Sequence, residues 1–172
     1  MLLSLGGLAA VAVVGAGVLF LSVGFDARAH PLDQELEANF LKHEADFELL
    51  ARMAKEDANV VRIAPDFTWL TNNAAWPRPQ SALGFTSDRW EAYRTLFSKL
   101  DLPAGIVNYQ PDTIMFLAST RGLVTGGSAK GYAYSIKDPV PIVESFENVS
   151  FKDSRIAYKR LKGHWYLFYE VS

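Results

Sequence analysis

The side chains of this 172-residue chain that could do chemistry are three histidines, scattered carboxylates and one strand rich in tyrosine. His43 is the histidine set within a helical pattern, and imidazole changes charge near neutrality, so it is a candidate general base. Asp66 is a second candidate base, and Tyr132 is a candidate hydrogen-bond donor beside either of them. His43 also lies on the apolar stripe of its helix, where the competing reading is a satisfied core residue. His30 and His164 fall in a linker and a turn, and no Ser/His/Asp or paired-His spacing unites the three. His43-Glu44 lacks the second histidine of a zinc-binding helix. Cysteine is absent, which removes disulfides, thiol catalysis, zinc-thiolate sites and a lipid-modified cysteine anchor. No metal ligand set and no cofactor signature follows from these residues.

The glycine-rich segment 125–131 has the composition of a phosphate cradle but not its order, because Lys130 is followed by Gly131 and a strand rather than by Ser or Thr and a helix. Read as a strand, it places Ser128, Lys130, Tyr132 and Tyr134 on one face and Ala129, Gly131, Ala133 and Ser135 on the other. The small face is expected to meet a helix or another closely approaching element. The large face looks either into the concavity of the sheet or to solvent. In the first case two phenols and an ammonium converge on a small polar or anionic ligand, and in the second Lys130 snorkels; on either reading Lys130 is expected to be dispensable for stability. Trp76, in the stiff stretch Trp76-Pro77-Arg78-Pro79, is a further recognition candidate, or a lid packed over the sheet.

These groups need a scaffold. Residues 33–57 read as one amphipathic helix, with Leu36, Phe40, His43, Phe47, Leu50 and Ala54 at alternating steps of four and three. Residues 60–70 read as one or two strands interrupted at Pro65, and 72–80 as a proline-bound loop. A second helix spans 87–100, opened by Asp88 with Glu91 in the manner of a capping box. From there the period falls to about two, through 113–119, 123–125, 129–136, 155–161 and 165–171. Aromatics on both faces of 165–171 require a strand that is central or covered twice. Helices first and a meander after them predict an α+β domain, with helices packed on one face of a curved antiparallel sheet.

That element order resembles the cystatin-like and nuclear-transport-factor-like cone folds. The segments Gly127-Ser128-Ala129-Lys130-Gly131-Tyr132-Ala133-Tyr134 and Trp165-Tyr166-Leu167-Phe168-Tyr169-Glu170 resemble a family of uncharacterised bacterial envelope proteins, a likeness that implies no activity.

Residues 1–25 contain no charged side chain, and as a helix they would extend roughly 37 Å against a hydrocarbon core of roughly 30 Å. The segment reads as a transmembrane anchor, or as a secretory signal cleaved after Ala29 in the small-x-small triplet Ala27-Arg28-Ala29. Either reading gives 1–25 as membrane segment, 26–32 as linker and 33–172 as one globular domain, placed outside the cytoplasm. All 17 Lys/Arg and 19 Asp/Glu follow Phe25 with their signs interleaved, for a net charge of −2. No basic footprint for nucleic acid is present. The expected function is a non-enzymatic envelope module that binds a partner protein or a small polar ligand. The alternative is a small cone-fold hydrolase or isomerase with His43 or Asp66 as base in a cavity, and a third reading is a purely structural membrane-associated protein.

Overall fold

The computed structural model describes residues 30–70, 79, 81, 84–110, 112–123, 126–147, 149 and 155–172. Residues 1–25, read as a membrane segment, Ala27–Ala29 and Trp76 lie outside the described residues, and among the described ones no helix is long and apolar enough to cross a membrane.

The described chain is α+β. Helices α1 (Asp33–Lys42), α2 (Glu44–Glu56) and α3 (Ser87–Leu100) accompany strands β1 (Val60–Ile63), β2 (Thr68–Leu70), β3 (Ile106–Gln110), β4 (Thr113–Leu123), β5 (Gly126–Ser135), β6 (Ile156–Lys162) and β7 (Trp165–Val171). The strands form one antiparallel sheet in the order β2-β1-β3-β4-β5-β7-β6. β7 is therefore internal, as its two aromatic faces require, and Trp165, Tyr166, Leu167 and Phe168 are all buried.

The single helix expected over 33–57 is two helices that meet at His43, whose φ of −122° and ψ of 24° leave the helical region. Its N–H donates to the carbonyls of both Asn39 and Phe40, and its own carbonyl accepts from Asp46 and Phe47. One residue thus ends α1 and starts α2. The apolar stripe survives the break, because Leu36, Phe40, Phe47, Leu50 and Ala54 remain buried while His43 is only half-buried. α3 has the bounds expected, 87–100, but its cap lies two residues before Asp88. Thr86 is the cap, accepting the Arg89 N–H at 3.2 Å.

Pro65 breaks 60–70 into the β1–β2 hairpin, as read. β3 is a strand that alternation did not announce, since only Ile106 and Val107 are apolar before Asn108 and Gln110. Asn108 ties this strand to the end of α2 by donating to the carbonyls of Ala54 and Val60.

Two apolar clusters lie on opposite faces of the sheet. The larger joins all three helices to inward residues such as Phe116, Tyr132 and Trp165, whose rings stack with Phe40 and Phe47. The smaller gathers Leu117, Ala133, Tyr158, Tyr166 and Phe168 with no helical residue among them. The described helices therefore cover one face, and the other face is apolar with no described helix over it.

Two bulges decide what each face carries. In β4, Leu117 pairs with Gly131 and Ser119 with Lys130, leaving Ala118 as the extra residue. In β1 the pairing slips between Val60 and Arg62, so Val61 and Arg62 both come to the helix-free face.

Candidate functional site

On β5 the large face is the inner one. Tyr132 is fully buried against Phe40 and Phe47; its hydroxyl donates to the Leu36 carbonyl at 3.1 Å and accepts from Asn39 Nδ2 at 3.0 Å. Burial pushes this phenol up to about 12. Lys130 is 7 % exposed, with Nζ 2.7 Å from Asp33 and 2.7 Å from the Pro31 carbonyl. Ser128 Oγ meets His30 Nε2 at 2.7 Å, and Tyr134 lies between Trp165 and the Lys55 ammonium. Ser128, Lys130 and Tyr132 thus spend their polar atoms on the N-terminal edge of the domain, and Tyr132 and Tyr134 pack their rings into the inner face. The segment read as a linker takes part in this: His30 and Pro31 are bonded to β5, and the His30 ring meets Tyr169 edge-on.

The small face meets no described helix, and the closely approaching element is a strand. Ala133 lies in the outer cluster beside Tyr158 and Tyr166. A Cβ on Gly131 would overlap the Phe116 carbonyl oxygen and lie 2.8 Å from Ala118 N, so the close approach belongs to the bulged backbone of β4.

The candidate catalytic residues share no partner. His43 Nδ1 is 3.5 Å from Asp46, Tyr132 bonds to Leu36 and Asn39, and Asp66 lies exposed in the β1–β2 turn on the electrostatic side of Arg62. Among the described residues, no cluster of His, Asp and Glu could hold a metal ion.

The inner network makes stability respond to acid in two stages. Burial first, then Arg121 and Lys130, hold the His30 pKa below its ordinary 6.5. The neutral ring is favoured in the fold, so its contribution is complete above about pH 6.5 and declines below it, as the unfolded chain takes up the proton more readily. Burial would raise Asp33, but Lys130, the Phe146 N–H and Lys159 outweigh it and hold the carboxyl below 3.8. Its contribution is present above that value and is lost as pH falls through its depressed folded pKa. Urea midpoints taken between pH 7 and pH 2 should fall in both windows, and His30→Asn should flatten the upper one while leaving the lower.

The open concavity is on the outer face. A groove of about 660 Å³ runs over β1, β3, β4 and β5 to β6 and β7, with Trp69, Val107, Met115, Ala129 and Ile156 on its walls. Among the described residues its charged lining is Arg62 and Glu170. The Arg62 guanidinium donates to the Ala104 carbonyl at 2.7 Å, stands 5.8 Å from the Phe67 ring centre, and makes no ion pair among the described residues. Burial lowers its pKa to about 10, countered by the charge of Asp66, and leaves it cationic at neutral pH. Neither Arg62 nor the groove stands out in the sequence, because strict alternation puts Val61 and Arg62 on opposite faces.

Comparison with protein-family models, with curated proteins and with solved structures returns no match for this chain.

Proposed function

We propose that the domain is a binding module held at a membrane by residues 1–25, and that its site is the groove on the helix-free face of the sheet. The observation that carries this reading is an apolar groove of about 660 Å³ on a face that no described helix covers. That size is within the range of small-molecule sites, as is an apolar wall with few polar groups. The helix-side interior, which a cone-fold enzyme would need open, is filled by Phe40, Phe47, Phe116, Tyr132 and Trp165. The separation of His43, Asp66 and Tyr132 also favours binding over hydrolysis or isomerisation.

Fractionation tests the tether: the intact full-length chain should sediment with membranes, and its recovery, uncleaved, in the soluble fraction without detergent would end that half of the proposal. Photolabelling tests the groove. A neutral alkyl diazirine added to the full chain should label peptides of β1, β4 and β6. Ala129→Phe, which places a ring in the groove at a half-exposed strand position, should cut that labelling at least tenfold without lowering the melting temperature. Labelling that ignores Ala129→Phe would sink the reading.

A further inference from the structure

We infer that the groove takes a monocarboxylate with an extended apolar body, its carboxylate on Arg62; this rests on the reading of the groove as the binding site. The walls specify the body. Val61, Val107, Met115, Leu117, Ala129 and Ile156 offer contact without direction, which suits an alkyl or aryl chain.

The head group follows from charge. Arg62 is the basic residue of the lining, set in an apolar wall with a neutral carbonyl as its hydrogen-bond partner. A guanidinium has five N–H donors in a planar fork that matches a carboxylate. The Ala104 bond uses one nitrogen of that fork and brings no negative charge. Asp66, the carboxylate that acts on Arg62, does so without an ion pair. A ligand carboxylate would therefore add a charge-assisted bond in a poorly solvated setting, where such bonds are strongest.

Glu170 restricts the number of charges. It lies on β7, four strand spacings from β1 in the sheet order, or roughly 19 Å across the strands. A ligand anchored at Arg62 and laid across the strands has a cation at its head and points its far end towards a carboxylate. One negative charge is matched; a second at the far end is opposed by Glu170. A phosphate dianion at Arg62 would find no second cation among the described lining residues. The β1 bulge supplies the geometry, because without the slip between Val60 and Arg62 the guanidinium would not share a face with Val61.

The test competes decanoate, decanol and decanedioate against the neutral alkyl diazirine, on the full chain in phosphatidylcholine nanodiscs. Decanoate should suppress groove labelling at a concentration at least tenfold lower than decanol or decanedioate. Arg62→Gln should bring decanoate to the level of decanol, and Arg62→Lys should keep part of the preference. Should Arg62→Gln fail to fold, Arg62→Lys decides alone: a preference reduced but present supports the inference, and one unchanged from the parent overturns it. Equal competition by decanoate and decanol, with groove labelling intact, overturns the head group and leaves the groove. Absence of groove labelling overturns both, as does a concentration-dependent dimer in light scattering whose formation abolishes the labelling.

Discussion

Gly131→Ala is expected to destabilise the domain by at least about 3 kcal/mol, an unusually large effect for one methyl group. The added Cβ would overlap the Phe116 carbonyl oxygen and sit 2.8 Å from Ala118 N, and both belong to backbone rather than to a side chain that could turn away. Relief requires β4 and β5 to separate where Leu117 pairs with Gly131, beside the bulge that sets the register of the hairpin. Gly163→Ala is the control. Gly163 has a φ of +55° and open space around its missing Cβ, so its cost is conformational, about 1–2 kcal/mol. Urea unfolding of the two variants compares them directly. Equal losses would mean that β4 yields without penalty and that the bulge does not demand glycine.

The second large effect concerns Asp33 and Lys130. Lys130 reads from the sequence as dispensable whichever way its strand face looks, but it is 7 % exposed and 2.7 Å from Asp33, and that reverses the expectation. Asp33→Ala leaves the ammonium buried with the Pro31 carbonyl and should cost about 3–5 kcal/mol. Lys130→Ala should cost less, because Asp33 keeps Lys159 at 3.5 Å and the Phe146 N–H at 3.4 Å. The double variant should lose clearly less than the sum of the two singles, since a residue left without its partner is the main penalty in each. Additive losses in this cycle would show that the pair does not act as a unit.

These predictions rest on features of unequal visibility. The helical stripe, the turn at Pro65 and the central strand Trp165–Val171 were legible because burial imposes a period on side chains, and a period can be read. The break at His43 was not, since it changes two backbone angles and leaves the apolar spacing intact. The faces of β5 were separable by alternation, but not which of them looked inward. Small residues signalled a close neighbour correctly; the neighbour at Gly131 is a bulged strand rather than a helix. Bulges also hid the groove, because inserting one residue shifts every later side chain to the opposite face, and neither Val61-Arg62 nor Leu117-Ala118 carries a residue type that betrays the slip. The polar partners of Lys130 and Ser128 lie nearly a hundred positions away, at Pro31, Asp33 and His30. No local pattern encodes pairings of that span.

The place of β7 governs when the protein can be finished on the ribosome. β5 and β6 both hydrogen-bond to it, and β6 follows β5 in the chain but does not pair with it. While translation proceeds through β6, the edge of β5 that will face β7 has no strand to accept, and the space that Trp165 and Leu167 fill beneath the helices is open. Helices and the β3–β4–β5 meander can form in order of synthesis, yet the nascent domain stays incomplete until 165–171 emerges. A ribosome stalled between β6 and β7 would hold an unclosed sheet with a free inner edge, the form most exposed to chaperones, to proteases and to the edges of other chains.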